Sequence, residues 1–323
     1  MTDPVKRTTS QDVAQAAGVS RTTVSFVLNN RPNHAIPEET RQRILDAARR
    51  LDYRPHASAR SLAAGRSAVV LLSLPDVPIG AGISRFVEEL ATALARDGLT
   101  LVLHLAGAHG RSLPDVCAAV DAWAVIGFES FDADTVQALK RAGARVVLPA
   151  HVHESPAMQL IGRLQARHLI DRGHRRIGYA FPAHRNLRPM AEERLQGVAG
   201  ACREAGLEPP VVLTTDLEIP GAAAAVAQWK ARSVTGVCAF NDETAIAVLA
   251  GIREHGLTAP GDLAVIGVDD IPTARLAAPP LTTVYFDLQE VGRRRADAIL
   301  DAMAGRAVAP STFDPLIVER SST

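Results

Sequence analysis

TTSQDVAQAAGVSRTTVSFVLNN (residues 8–30) carries two short amphipathic segments separated by a glycine turn. Thr9 is placed to cap the first segment, with Asp12 three residues on to reach back to the cap's own N–H, a close relative of the capping box. Val13, Ala14, Ala16 and Ala17 are its small apolar packing residues, and Gly18 suits a turn because it carries no Cβ penalty at positive φ. Ser20 caps a second helix running from Arg21 to about Asn29, with Val24, Val27 and Leu28 at helical spacing. Helix, short turn and helix make a helix-turn-helix, whose second helix points its start into the DNA major groove. Arg21, Thr22 and Phe26 are the side chains that face outward there.

Outward from this unit, IPEETRQRILDAARRLDY (36–53) reads as a third helix opened by Pro37, with Ile44, Ala47, Ala48 and Leu51 as its buried stripe. Pro55 stops it. The Ala-rich stretch that follows, HASARSLAAG (56–65), is too short to be a stable helix alone in water. Residues 1–66 hold eleven Lys/Arg against six Asp/Glu, a local net charge of +5 inside a chain whose formal total is zero. That hidden basic end is what phosphate contact requires.

Residues 67–323 alternate apolar runs with helical stretches. Strands are expected at 69–74, 99–105, 122–127, 145–149, 176–181, 211–214, 235–240, 263–268 and 316–319. Helices are expected near 83–97, 132–143, 157–172, 189–206, 220–231, 241–254 and 287–304. Strands that are apolar throughout and separated by helices imply parallel sheets covered on both faces. The length suits two lobes, with a pocket in the cleft between them at the carboxyl ends of the strands.

The runs DVAQAAGVSRTTVSFVLN, TRQRILDAARRLDYRP and ASARSLAAGRS closely resemble the lactose-repressor (LacI/GalR) family of bacterial transcription regulators. So do RHLIDRGHRRIGYA (167–180), ERLQGV (193–198), TGVCAFNDETAIAVLAGIREHGL (235–257), AVIGVDD (264–270) and PPLTTV (279–284), which are more distantly similar to periplasmic sugar-binding proteins. The resemblance implies a small all-α helix-turn-helix headpiece (1–54), a hinge helix (55–66), and a two-lobed α/β periplasmic-binding-protein-like body (67–323) with parallel sheets. It implies an N-lobe of about 67–153 plus 287–310 and a C-lobe of about 154–286 plus 311–323.

The same resemblance assigns roles residue by residue. Arg21, Thr22 and Phe26 take the base-reading positions, flanked by Ser20 and Asn29. Arg21 can pair with a guanine through O6 and N7, whereas Phe26 departs from the polar or basic residue usual there and touches either a thymine methyl or no base. Leu62 is placed to wedge between base pairs in the minor groove, with Ala59 beside it and Arg60 near phosphate. In the body, Arg194, Asn241 and Asp269 match the effector contacts, each with a structural alternative as a helix cap or inter-lobe ion pair. The implied protein is a homodimeric regulator, most often a repressor, of a palindromic double-stranded DNA operator, controlled by a sugar or related metabolite.

Three segments depart from the family pattern. PDVPIGAGISRF (75–86) lacks the usual aromatic platform unless Phe86 supplies it, HVHESPAMQLIGR (151–163) lacks an acidic residue common there, and Tyr285-Phe286 stands where a polar side chain is frequent. Together they point to an atypical or more apolar effector, or to none.

Other classes find little support. His151, His153 and Glu154 have no further ligand at fixed spacing, so no metal site is expected. Gly80 and Gly82 do not complete a dinucleotide fingerprint. Cys117, Cys202 and Cys238 are odd in number and widely spaced, which fits a reduced cytoplasmic interior. The polar N-terminus does not read as a signal peptide, no apolar run reaches a membrane span, and no leucine heptad follows the last strand, which favours a dimer. No nucleophile–base–acid set stands out, so no catalysis and no cofactor are expected. The alternative class is a ligand-binding protein with a silent headpiece, or an enzyme on the same scaffold; salt-dependent binding to a palindrome discriminates them.

Overall fold

A computed structural model describes residues 8–28, 36–53, 67–74, 76–77, 79–107, 110–127, 131–149, 157–307 and 314–323. Asn29, the hinge segment with Ala59, Arg60 and Leu62, and the His151–His153–Glu154 group all lie outside these residues.

The headpiece is three helices: α1 (Ser10–Ala17), α2 (Arg21–Leu28) and α3 (Glu38–Arg50). The capping box forms as the sequence implies, with the Thr9 side chain accepting from Asp12 N–H and the Asp12 carboxylate accepting from Thr9 N–H at 2.8 Å. Gly18 stands at φ 67°, and Ser20 Oγ accepts from Thr23 N–H at 3.1 Å to start α2. In α3, Glu38 and Glu39 sit in the first turn and Arg49 and Arg50 in the last, each sign matching the end of the helix dipole it faces. Val13, Ala14, Ala17, Val24, Val27, Ile44, Ala47 and Ala48 close into one small core, and Thr8 Oγ1 ties the chain start to the Leu51 carbonyl.

The body contains two sheets. The first has four parallel strands in the order β2 (Thr100–Leu105), β1 (Val69–Leu74), β3 (Ala122–Gly127), β4 (Val146–Pro149). Because β1 is covered on both sides, it reads as a continuous apolar run. Val70, Leu72 and Leu74 pack with α4 (Ala81–Arg96), while Leu71 faces the opposite way onto α5 (Leu113–Ala119) and α6 (Ala133–Arg141) through Cys117 and Leu139.

The second sheet has six strands in the order β10 (Leu316–Val318), β9 (Thr282–Tyr285), β8 (Ala264–Val268), β7 (Gly236–Ala239), β5 (Ile177–Pro182), β6 (Val211–Thr215). Its pairings are parallel except the edge pair β9–β10, which is antiparallel. One face carries α7 (Ala157–Asp171) and α8 (Arg188–Glu204); the other carries α9 (Ile219–Ala231) and α10 (Asp242–Glu254). Side-chain alternation along β8 serves both, with Val265 in one cluster and Ala264, Ile266 and Val268 in the other. Two buried polar rings are satisfied, Trp229 Nε1–H by the Val211 carbonyl (2.9 Å) and Tyr179 O–H by the Ala191 carbonyl (3.1 Å).

The chain passes between the sheets three times. It leaves β4 for α7, leaves β9 for α11 (Leu288–Met303), and returns to β10. Helix α11 packs Ala296 and Ile299 into the first sheet's core although it follows the second sheet in sequence. Among the described residues no helix is long and apolar enough to cross a membrane, no group of three metal-ligating side chains is present, and Cys117, Cys202 and Cys238 are buried and unbonded.

Candidate effector cleft and DNA-reading helix

In the headpiece, Arg21 and Thr22 are exposed at the start of α2, as is Ser20 just before it, and Phe26 is half-buried one turn further on. The apolar face, Val24 and Val27, is committed to the three-helix core. Helix α2 therefore has its N-terminal polar side chains free to meet another surface, which is what a recognition helix requires.

In the body, a cavity of about 470 Å³ lies between the lobes. That is within the size range of small-molecule sites. It opens at the carboxyl ends of β5, β6, β7 and β8, where Pro182, Thr215, Phe240 and Asp269 line it. Arg194, Asn241 and Asp269, three residues far apart in sequence, all line this one space.

Arg194, on α8, is 3% exposed. Its Nη1 donates to the Phe240 carbonyl, its guanidinium carbon stands 4.6 Å from the Phe240 ring centroid, and its Nη2 lies 4.0 Å from Asp269 Oδ1. Its Nε has no hydrogen-bond partner among the described residues, and neither does the Thr215 hydroxyl. Buried polar atoms normally find partners, so two orphans in one cavity mark where a ligand's polar atoms belong. Asn241 is also the N-cap of α10: its Oδ1 accepts from Thr244 N–H (2.9 Å) and Oγ1–H (2.7 Å), leaving its NH₂ uncommitted to the cap.

Asp269 sits just past β8 at φ 103°, a left-handed conformation costly for a residue with a Cβ. Burial pushes its carboxyl up to about 6, against the opposing pull of Arg194 and Arg85. Its neighbours take other work. Asp270 accepts from Arg320 (2.6 Å), and Asp242 is buried, accepting from Ile271 N–H (2.9 Å) and Thr283 Oγ1–H (2.6 Å). Neither side chain caps the segment that follows it.

Burial, reinforced by the nearby Asp269 charge, raises Asp242 from 3.8 to about 8. The folded chain thus keeps a proton that the unfolded chain releases near pH 4, and the associated stability is present at low pH and lost as pH rises through 8. The melting temperature of Asp242→Asn is therefore expected to fall less than that of the parent between pH 6.5 and 8. The parental loss from this group is at most about 1.4 kcal/mol per pH unit. Equal slopes by calorimetry would contradict the assignment.

Sequence reasoning missed the residues that join the lobes. Arg85, on α4, donates through Nη2 to the carbonyls of Asp269 (2.8 Å) and Asp270 (3.4 Å), and Asn186 Nδ2 donates to the Asp76 carbonyl (2.7 Å). Nothing local marks Arg85. Thr215 was findable, since it ends an apolar strand at the side where ligands of parallel sheets bind. Phe86 lines the cleft, as the sequence allowed, but is 2% exposed and packs in the first sheet's core, and a second aromatic, Phe240, carries the guanidinium. Phe286, one of the two residues that depart from the family pattern after PPLTTV, lines the cavity.

A helix-turn-helix headpiece joined to a two-lobed binding body defines a ligand-responsive DNA-binding regulator. Residues 9–56 match the family of bacterial regulatory proteins, lacI family, and residues 166–323 match the periplasmic binding protein-like domain. The chain is 31% identical to the HTH-type transcriptional regulator GalR of Escherichia coli (strain K12), over 97% of this chain and 95% of that protein. It is 29% identical to the HTH-type transcriptional repressor PurR of Vibrio cholerae serotype O1 (strain M66-2), over 97% of each. Among solved structures it is similar to the Lac repressor dimer bound to operator and the anti-inducer ONPF (TM-score 0.81, 24% identity, 98% of this chain and 99% of that one). It is also similar to the transcriptional regulator CelR–cellobiose complex (TM-score 0.66, 28% identity, 98% and 100%). The chain belongs to the LacI family of bacterial transcriptional regulators.

Proposed function

We propose that the chain acts as a cytoplasmic homodimeric repressor that binds a palindromic DNA operator and is controlled by a small molecule in the inter-lobe cleft. Headpiece 1–54 reads the major groove through Arg21, Thr22 and Phe26, hinge 55–66 enters the minor groove with Leu62, and body 67–323 holds effector and partner subunit. No catalytic step is assigned. The observation that carries this reading is the coincidence of the orphaned polar atoms of Arg194 and Thr215 with the lobe-bridging bonds of Arg85 and Asn186 around a single cavity. A ligand there meets both lobes, and three chain passages couple lobe geometry to the hinge. The effector changes operator affinity by the ratio of its affinities for the two lobe arrangements.

Leu62→Ala tests the hinge assignment. Removing an apolar wedge forfeits the kinked-DNA contacts while leaving the body untouched. Operator affinity by fluorescence anisotropy at fixed salt is expected to drop roughly tenfold, about 1.4 kcal/mol. The melting temperature of the body is expected to stay unchanged. Full operator affinity in the variant would defeat the wedge.

A further inference from the structure

The walls of the cleft are chemically unequal. Among the described residues, the first lobe supplies only apolar side chains and glycines: Val77, Ile83, Phe86, Leu288 and Val291, with Gly80, Ala81 and Gly82 between. Among the described residues, every polar or charged side chain lining the cavity comes from the second lobe, including Arg194, Thr215, Asn241 and Asp269. A free sugar, ringed with hydroxyls, would set part of its polar surface against these apolar side chains, at the cost that burial of unpaired polar groups carries. A ligand with one polar and one apolar end would instead cover Ile83, Leu288 and Val291 and gain from removing that apolar surface from water.

Charge narrows the polar end. Among the described residues, Asp216, Glu243 and Asp269 line the cavity with a single guanidinium, that of Arg194, which already donates to a backbone carbonyl. Arg85 is nearby and its charge acts on Asp269, yet the three carboxylates still outnumber the two guanidiniums. Asp242 holds Ile271 N–H and Thr283. The field in the cleft therefore disfavours an anion.

From these observations we infer that the effector is an amphipathic, non-anionic small molecule. Its hydroxyl- or amine-bearing end sits among Thr215, Arg194 and Asp269, and its apolar body lies on the first-lobe wall of Ile83, Leu288 and Val291. This assignment rests on the cleft being the effector site and specifies the ligand class that site accepts.

Three fluorescent probes of one shape test it on the full chain: 2-naphthylmethylamine, 2-naphthylmethanol and 2-naphthoate, followed by naphthalene anisotropy. The amine and the alcohol are expected to bind one site per chain, roughly tenfold or more tighter than the carboxylate. Ile83→Asn, checked for fold by circular dichroism, is expected to weaken both. Thr215→Val, close to isosteric, is expected to weaken the alcohol while leaving the melting temperature within a few degrees.

Tightest binding by the carboxylate, binding by none of the three, or binding indifferent to both substitutions would overturn the assignment. Operator binding measured on the same preparation keeps the outcomes separable. Its loss counts against the regulator reading, whereas intact operator binding with a preference for naphthoate counts only against the ligand class.

Discussion

Gly197→Ala is expected to destabilise the body by more than about 3 kcal/mol, a large share of the roughly 5–15 kcal/mol that holds a folded domain together. Helices α7 and α8 approach so closely that a Cβ on Gly197 would lie 1.9 Å from the Gln159 carbonyl oxygen, and one on Gly162 would lie 1.9 Å from the Arg194 carbonyl oxygen. Both obstacles are backbone, so no side chain can swing aside. The helices must separate, and separation opens the cluster of Ile161, Leu169, Tyr179, Val198 and Ile266 beneath them. It also displaces Arg194, one turn from Gly197 on the same helix, from the Phe240 carbonyl. Calorimetry of the purified variant checks this: a melting temperature within a few degrees of the parent would mean the helices can slide without cost. Gly200 offers the contrast. Its Cβ would meet only the Arg163 and Arg203 side-chain ends, at 3.4 and 3.9 Å, so Gly200→Ala is expected to be nearly neutral.

Arg21→Ala is expected to cost about 1–3 kcal/mol of operator affinity, a loss of roughly fivefold to more than a hundredfold, and to relax specificity at one symmetric pair of base positions. Arg21 opens α2 on its exposed side, while the buried side of the helix is held by Val24 and Val27, so the substitution takes away the proposed DNA contact without touching the headpiece core. A phosphate-only arginine would behave differently. It would weaken all sequences alike and reduce the salt slope. Binding of operator variants mutated at each position separates the two outcomes, and uniform weakening would remove Arg21 from the base-reading set. Phe26 is half-buried, so its substitution mixes packing with recognition and makes a poorer probe.

Most of the fold was legible because burial on two faces leaves a plain trace. VVLLSL and AWAVIG are strands at the residues expected, Val69–Leu74 and Ala122–Gly127, and the helices of the body fall within a few residues of their sequence positions. The capping box and Gly18 turn were legible for a local reason, since both are settled within four residues.

What escaped was short or polar. Strand Thr282–Tyr285 has little strand signature of its own, because two consecutive threonines do not read as core. They are buried because Thr283 donates to Asp242 and the Thr282 hydroxyl accepts from Arg320 N–H. Helix Leu113–Ala119 was passed over at seven residues, although Ser112 and Asp115 had already written its cap. The antiparallel direction of Leu316–Val318 is a property of its partner and has no local signature. In the cleft, Arg194, Asn241 and Asp269 were picked out through the family pattern. The lobe-bridging Arg85 and the one-sided distribution of apolar lining depend on residues brought together across more than a hundred positions, which no single stretch displays.

The most direct test of the central claim is selection of bound sequences from a random duplex library by the purified full-length chain, shown to be folded and dimeric, at stated salt. A regulator of this family built on Arg21 and a hinge wedge predicts enrichment of a palindrome with a C–G-type step at its centre, lost in Arg21→Ala. No enrichment, with or without cleft ligands, would contradict it and leave the two-lobed body as the working part of the protein.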